Sequence, residues 1–171
     1  GSLFTPLNIN FTAVVGSYVQ ENEPMVLVCD ADKVDLAVRC LIRIGLDSVQ
    51  GFATPATLEA ARGAGAALAT IPEISVTEAS GHAQRKDAVI LDVRRAGEYA
   101  AGHVEGAVNI AHTRLMARLA EVPKGQPLIV HCQGGVRSAF AAAFLKRQGY
   151  NATNVACGFG AWEKAGLAVV R

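Results

Sequence analysis

The sequence lacks the features of several common functional classes. Lysine and arginine (16) nearly balance aspartate and glutamate (15), so no excess of one charge suggests binding to nucleic acid or to a membrane surface. No apolar run is long enough to span a membrane. The first residues do not resemble a secretion signal. We therefore expect a soluble, cytoplasmic protein.

The cysteines do not form a metal-binding pattern. There are four, at positions 29, 40, 132 and 157, without a C-x-x-C pair and without paired histidines nearby. Zinc sites need closely spaced ligands of these types, so no metal site is predicted. In a chain of this length without an export signal, we expect free thiols rather than disulfides.

Strand-like and helix-like segments alternate along the whole sequence. This alternation is typical of βαβ units, which form an α/β fold with a central, mainly parallel sheet. Strands are predicted near residues 7–10, 25–29, 48–50, 88–93, 108–110, 127–131 and 153–156. Helices are predicted near residues 33–44, 55–64, 76–84, 113–119, 138–148 and 159–165.

The chain contains an internal repeat. Residues 24–29 align with residues 127–132 at an offset of 103, and residues 7–9 resemble residues 108–110. With one deletion, four further residues (Ala37, Leu41, Arg43 and Gly45) match Ala141, Leu145, Arg147 and Gly149. Each of the two helices then ends at a glycine, as a left-handed C-cap favours.

The repeat predicts one partial and one complete unit. We place the partial unit at residues 1–71, a linker at residues 72–74 and the complete unit at residues 75–171. The pattern Ser75-x-x-Glu78 predicts a capping box at the start of the complete unit. The partial unit has no counterpart of residues 76–106, so its apolar sheet needs a cover. The complete unit, a second copy of the chain in a homo-oligomer, or another domain could provide that cover.

One stretch joins a predicted strand to a predicted helix through a glycine-containing loop that begins with Cys132. Backbone N–H groups at such a junction converge on one point and favour an anion there. We therefore predict that the loop holds Cys132 as a thiolate, the nucleophilic form of the side chain. The loop residues whose N–H groups are available are Gln133, Gly134, Gly135, Val136, Arg137 and Ser138.

Four motifs follow one another between residues 91 and 162. They are LDVR with Glu98-Tyr99, GHVEGAVN from Gly102, the Cys132 loop, and GFGAW from Gly158. Together they resemble a rhodanese (sulfurtransferase) domain covering residues 75–171. The resemblance implies a three-layer fold with a five-stranded sheet, and transfer of a sulfane sulfur through a Cys132 persulfide without a cofactor. The implied donors are thiosulfate and low-molecular-weight persulfides such as glutathione persulfide, and the implied acceptors are thiols and cyanide.

The other motif residues are assigned supporting roles. Arg137 is predicted to hold the anionic end of the sulfur donor, because a guanidinium group suits oxyanions. Arg94 and Glu98, four positions apart, are predicted to form a local ion pair. Asp92 ends a parallel strand at the edge where ligands bind, so it either supports the loop or is only structural. His103 is predicted to fix the segment after Gly102.

Two other functions remain as alternatives. Cys132 and Arg137 are five positions apart, which gives a C-x4-R loop. Phosphatases and arsenate reductases with the same fold have a loop one residue longer, so the spacing favours sulfur transfer over chemistry on a tetrahedral oxyanion. The first alternative is such an oxyanion enzyme, and the second is a non-catalytic, redox-sensing docking module.

The remaining cysteines are given different predictions. Cys29 occupies the position of Cys132 in the partial unit, but Asp30 and Asp32 would repel a thiolate, so we predict that this unit is inactive. Cys40 is assigned to the core. Cys157 is predicted to be either a small buried residue or a thiol that relays sulfur.

Residues 1–74 resemble the degenerate rhodanese-like unit of certain bacterial fusion proteins. In those proteins, a tandem pair of such units follows a metallo-β-lactamase-type persulfide dioxygenase domain. The resemblance therefore implies a dioxygenase domain as an upstream partner. His131 is predicted to be structural, because alternation along a strand directs it away from Cys132. Trp162 is predicted to lie in the core.

Overall fold

The computed structural model describes residues 2–171. It divides into two compact units, Thr5–Thr70 and Ile71–Arg171, and residues 2–4 group with the second. Among residues 2–171, no helix combines the length and the apolar character needed to cross a membrane.

The unit Thr5–Thr70 is built on one βαβ crossover. Its elements are α1 (Phe11–Val15), β1 (Met25–Val28), α2 (Val34–Ile42), β2 (Val49–Ala53) and α3 (Pro55–Gly63). Strands β1 and β2 pair in parallel. Met25 and Leu27 pack against a cluster that contains Leu41, whereas Val26 and Val28 alternate with them and are 65% and 48% exposed. One face of this small sheet is therefore covered and the other is open to solvent.

The predicted strand near residues 7–10 is wrong, because this segment folds into turns that lead into α1. The N–H of Asn10 donates to the side-chain oxygen of Asn8, and the N–H of Phe11 donates to the Asn8 carbonyl. Asparagine side chains compete in this way with the hydrogen bonds of a strand. The sequence similarity of residues 7–9 to residues 108–110 is therefore not accompanied by the same local structure.

The unit Ile71–Arg171 contains a five-stranded parallel sheet in the order β3-β7-β6-β4-β5. Its strands are β3 (Glu73–Ile74), β4 (Val89–Asp92), β5 (Val108–Asn109), β6 (Leu128–His131) and β7 (Ala152–Val155). Its helices are α4 (Val76–Arg85), α5 (Ala96–Ala101), α6 (Val136–Arg147) and α7 (Gly158–Lys164). The predicted α/β fold with a central five-stranded parallel sheet is confirmed.

Local sequence signals explain where the helices begin. The Ser75 hydroxyl accepts a hydrogen bond from the Glu78 N–H, and the Glu78 carboxylate accepts one from the Ser75 N–H, so the predicted capping box is present. The helix predicted over residues 113–119 is instead two 3-10 turns, His112–Arg114 and Leu119–Glu121. Pro123 holds the preceding residue, Val122, in an extended conformation, which ends the second turn.

Strand β6 lies at the centre of the sheet and all its residues are buried. Ile129 belongs to an apolar cluster that includes Phe159 and Trp162, so the predicted core position of Trp162 is confirmed. In the register of β4 and β6, Asp92 lies opposite His131. The residues that follow these two strands, including Arg94 and Cys132, therefore emerge at the same edge of the sheet.

The two βαβ crossovers of the chain begin with equivalent strand pairs. Met25 lies opposite Val49 in β1 and β2, and Leu128 lies opposite Ala152 in β6 and β7, so both residues of this first pair keep the sequence offset of 103. The next pairs differ, because the register of β1 shifts after Met25 and places Val26 opposite Gly51, whereas Ile129 lies opposite Thr153. The glycines after the two helices, Gly45 and Gly149, have φ values of +79° and +87°. The interpretation of residues 1–71 as a partial, inactive copy remains a prediction.

Candidate active site

Cys132 follows directly after β6 and its sulfur is enclosed by the loop that leads to α6. The sulfur accepts hydrogen bonds from the Gly135 N–H at 3.2 Å and from the Ser138 hydroxyl at 3.4 Å. The same hydroxyl lies 3.0 Å from the Gly135 carbonyl, so its single proton serves one acceptor at a time. Cys132 is only 1% exposed. Two donors thus reach a sulfur that is largely removed from water.

The conformation of Gly135 makes this arrangement possible. It precedes α6 with a φ of +90°, in the left-handed region that favours glycine. Among the loop residues predicted to surround the sulfur, Gly135 and Ser138 are buried, whereas Gln133, Gly134 and Val136 are exposed. The buried pair faces the sulfur and the exposed residues form the outer rim of the loop.

The start of α7 holds the loop from behind. The Phe159 N–H donates to the Cys132 carbonyl at 2.7 Å, and the Gly160 N–H donates to the Gln133 carbonyl at 3.0 Å. Gly158 has a φ of +54°, and a Cβ at this position would collide with the Cys132 carbonyl. The GFGAW motif therefore supports the Cys132 loop through its backbone.

Asp92 and Arg94 form a buried ion pair beside the loop. The Arg94 Nε and Nη2 atoms contact both carboxylate oxygens of Asp92, with distances from 2.6 to 3.0 Å. Arg94 Nη2 also donates to the Gly102 carbonyl at 2.7 Å, and Nη1 lies 3.4 Å from the Gln133 side-chain oxygen. The guanidinium group stacks 3.8 Å above the centre of the Phe159 ring.

The predicted local ion pair between Arg94 and Glu98 is wrong. Arg94 precedes α5, which begins at Ala96, so the helical spacing that brings residues i and i+4 together does not apply. Arg94 turns inward to Asp92, and Glu98 pairs instead with Arg137. Both contacts between Glu98 and Arg137, Nη1–Oε2 and Nη2–Oε1, are 2.8 Å long.

This second ion pair changes the charge at the rim of the loop. The hydrogen bonds from Arg137 lower the pKa of Glu98 from 4.5 to about 2, although partial burial opposes the shift. The pKa of Arg137 is raised, chiefly by Glu98 and to a smaller extent by the Cys132 sulfur. The guanidinium group of Arg137 therefore already binds an anionic partner, Glu98. Its predicted role in holding a donor is not tested by this arrangement.

His103 and the nearby Asn109 support the backbone around the site. His103 Nδ1 lies 3.0 Å from the Tyr99 carbonyl, and its ring stacks on Tyr99 with 3.8 Å between ring centres. The Asn109 amide donates to the carbonyls of Asp92 and Arg94 at 2.9 and 3.0 Å. Each contact fixes a segment that leads to or from the ion pairs.

Two histidines near the site, the buried His131 and the half-buried His112, have lowered pKa values. Burial lowers the pKa of His131, although its Nε2 lies 3.7 Å from Asp92, and its ring is stacked near Phe159. Burial, followed by the charges of Arg137 and Arg95, lowers the pKa of His112. His112 was not predicted from the sequence. Its place shortly after β5, at the same edge of the sheet, is a signal that could have identified it.

The other cysteines lie in different environments. Cys157 is exposed, so the first of its two predicted roles, a small buried residue, is wrong, and the role of a relay thiol stays a prediction. Strand β7 ends before it, and Cys157 occupies a turn to α7 with a φ of +58°. Its backbone lies close to Gly135, and a Cβ on that glycine would be 3.2 Å from the Cys157 nitrogen. Cys40 is half-buried against the apolar cluster of the first unit, and Cys29 is also half-buried.

No group of three or more histidine, cysteine, aspartate or glutamate side chains among residues 2–171 is arranged to hold a metal ion. The arrangement around Cys132 can instead stabilise a sulfur anion by hydrogen bonds. A thiolate at this position could attack a sulfur atom without a separate base.

Comparisons with known proteins match the part of the chain that contains the Cys132 loop. A family model described as "Rhodanese-like domain" matches residues 75–165. A sulfurtransferase from Allochromatium vinosum is 33% identical over 89 residues, which covers 52% of this chain and 83% of that protein. A thiosulfate sulfurtransferase, GlpE, from Pseudoalteromonas translucida is 32% identical over 93 residues, covering 54% of this chain and 89% of that protein.

Solved structures show the same relationship. A rhodanese-related protein from Thermoplasma volcanium is 28% identical, with a TM-score of 0.55, and the match covers 58% of this chain and 97% of that one. A rhodanese-like domain protein from Staphylococcus aureus is 31% identical, with a TM-score of 0.51, and the match covers 54% of this chain and 91% of that one. The chain therefore belongs to the rhodanese-like domain family.

Proposed function

We propose that this protein is a sulfurtransferase that carries a sulfane sulfur on Cys132. The observation that supports the proposal most strongly is the buried Cys132 sulfur, which receives hydrogen bonds from Gly135 and Ser138. Hydrogen bonds to a charged group contribute about 1.5–3 kcal/mol each, so they favour a thiolate and, later, a persulfide anion. The sulfurtransferases among the relatives support the same reaction class.

The proposed reaction has two steps. In the first, the Cys132 thiolate attacks the outer sulfur of thiosulfate or of a low-molecular-weight persulfide. The S–S bond of the donor breaks, and sulfite or a thiolate leaves with the bonding electron pair. In the second step, a thiol or cyanide attacks the outer sulfur of the Cys132 persulfide. The Cys132 thiolate leaves and is regenerated, so no external oxidant or reductant is consumed.

The Cys132→Ser variant tests this proposal, with Cys29→Ser as the matched control. After treatment with thiosulfate or glutathione persulfide, mass spectrometry should detect one added sulfur on the wild-type protein and on Cys29→Ser. Cys132→Ser should show no added sulfur, and it should not release thiocyanate from cyanide. An unchanged sulfur adduct in Cys132→Ser would contradict the proposal.

The two alternative functions predict other activities. An oxyanion enzyme would hydrolyse an aryl phosphate or reduce arsenate, whereas a redox-sensing module would form a Cys132 sulfenic acid with peroxide and would transfer no sulfur. The remaining parts of the proposal are a partial, inactive rhodanese-like unit at residues 1–71, a cytoplasmic location, and an upstream persulfide dioxygenase domain as a partner.

A further inference from the structure

We propose that Glu98 selects the class of sulfur donor, favouring low-molecular-weight hydropersulfides over thiosulfate. This inference rests on the proposed sulfur transfer through Cys132 and refines it by naming the donor. The two donor classes differ beside the transferred sulfur. Thiosulfate has a negatively charged sulfonate-like group attached to this sulfur, whereas a hydropersulfide has a sulfur bonded to carbon. The charges that surround Cys132 therefore affect the two donors differently.

Arg137 is the cation that would bind the oxyanion end of thiosulfate. It lies in the first turn of α6, directly before Ser138, whose hydroxyl is 3.4 Å from the Cys132 sulfur. Its two terminal nitrogens are already bound to the two oxygens of Glu98 at 2.8 Å. Two oxygens of the sulfonate-like group of thiosulfate would need the same paired geometry, so this group must compete with a carboxylate already in place.

Glu98 cannot give up Arg137 without a cost. Its carboxylate also accepts a hydrogen bond from the Arg95 N–H at 3.1 Å, which caps the start of α5. Turning the side chain away would break this cap as well as the ion pair. The pKa of Glu98 is about 2, because Arg137 stabilises the ionised form, so the carboxylate remains negative at neutral pH. An approaching oxyanion therefore meets a fixed negative charge.

The other charged groups nearby do not replace Arg137. Arg94 is buried and bound to Asp92. Partial burial, followed by the charges of Arg137 and Arg95, lowers the pKa of His112, which disfavours its cationic form. Arg95 is exposed, so water and salt screen its attraction for an anion.

The leaving groups extend the same argument to the transition state. When the Cys132 thiolate attacks a hydropersulfide, the S–S bond breaks and a thiolate leaves, which takes up the proton. Attack on thiosulfate releases sulfite, so negative charge grows on the oxyanion beside Glu98. A fixed charge of the same sign disfavours that transition state more than the first one.

The test measures how fast each donor forms the Cys132 persulfide in the full chain. Wild type, Glu98→Gln, Glu98→Asp and the control Glu105→Gln are mixed with thiosulfate or glutathione persulfide, quenched by alkylation, and analysed by mass spectrometry. Glu105 is an exposed glutamate of the same unit. Glu98→Gln should raise the second-order rate constant for thiosulfate about tenfold, and should change that for glutathione persulfide less than about threefold.

Two further comparisons separate charge from damage to the fold. Glu98→Asp keeps the negative charge near Arg137 on a shorter side chain, so it should raise the rate constant for thiosulfate less than Glu98→Gln does. In an Arg137→Ala background, Glu98→Gln should lose most of its effect, because Glu98 acts through Arg137. The unfolding temperature of each variant shows whether the substitution has destabilised the fold.

The inference is overturned if Glu98→Gln lowers the rate constant for thiosulfate, or if it changes the rate constants for both donors equally. It is also overturned if Glu105→Gln raises the rate constant for thiosulfate as much as Glu98→Gln does. A gain in Glu98→Asp as large as that in Glu98→Gln would also overturn it. A wild-type protein that forms no Cys132 persulfide with either donor would contradict the proposed function itself, which is a distinguishable result.

Discussion

The backbone of Gly158 lies against the carbonyl of Cys132, without room for a side chain between them. The next residue, Phe159, donates its N–H to that carbonyl at 2.7 Å. The first turn of α7 and the beginning of the Cys132 loop therefore form one rigid contact. The position of the sulfur depends on a residue that is distant in sequence and carries no reactive group.

We predict that Gly158→Ala disrupts the loop and lowers stability. The added Cβ would collide with the Cys132 carbonyl, and the φ of +54° also disfavours alanine. Overpacking and a left-handed conformation each cost about 1–3 kcal/mol, so the free energy of unfolding should fall by about 2 kcal/mol or more. Urea unfolding measures this change. Gly97→Ala is the control, because its Cβ meets nothing within 4 Å, and an unchanged stability of Gly158→Ala would contradict the prediction.

Arg94→Ala should be among the most destabilising substitutions in this unit. It leaves the carboxylate of Asp92 buried without its partner and removes the stacking on Phe159. Breaking a buried ion pair by removing one partner costs about 3–5 kcal/mol. Chemical denaturation should show this loss, whereas the exposed Arg114, replaced in the same way, should change stability by less than about 0.5 kcal/mol. A small effect at Arg94 would show that Asp92 finds another partner.

The ion pair between Glu98 and Arg137 predicts a dependence of stability on pH. The pKa of Glu98 is lowered from 4.5 to about 2 in the folded protein, chiefly by Arg137. The unfolded chain therefore takes up a proton first as the pH falls, and folding is favoured by the ionised carboxylate. The stabilisation is fully present above about pH 4.5 and is lost as the pH falls toward 2.

The wild-type protein and Glu98→Gln test this dependence directly. Their difference in free energy of unfolding should be largest above pH 4.5, and should shrink steadily in measurements between pH 4.5 and 2.5. Glu105→Gln should show no such trend. A difference for Glu98→Gln that stays constant over this range would mean that the carboxylate is not held in its ionised form by Arg137.

Ser138→Ala should slow sulfur transfer more than it affects folding. The hydroxyl is one of two donors to the Cys132 sulfur, at 3.4 Å. Loss of a hydrogen bond to a charged sulfur should lower the rate of persulfide formation about tenfold. Persulfide formation followed by mass spectrometry measures the change. Ser80→Ala, at a buried serine in α4, is the control and should leave the rate unchanged.

The fold class and the position of the candidate nucleophile could be predicted from the sequence. Alternating strand and helix patterns predicted the parallel sheet, because each pattern reports the local environment of neighbouring residues. The Ser75 capping box and the glycine-containing loop before α6 could also be predicted, because both depend on residues close together in the sequence. The six-residue helix α5 was missed, because it is too short to produce a clear periodic signal.

The pairing of the charged groups could not be predicted from the sequence and depends on the folded chain. The sequence spacing suggested Arg94 with Glu98, but the folded chain joins Arg94 to Asp92, and Glu98 to an arginine 39 positions away. Strands β4 and β6 are neighbours in the sheet, so the segments that follow them meet at one edge. Helical spacing cannot report such a contact, because it arises from strand order. The close contact between Gly158 and the Cys132 carbonyl also depends on strand order, because β6 and β7 are neighbours in the sheet. This contact and the exposure of Cys157 were therefore seen only in the structure.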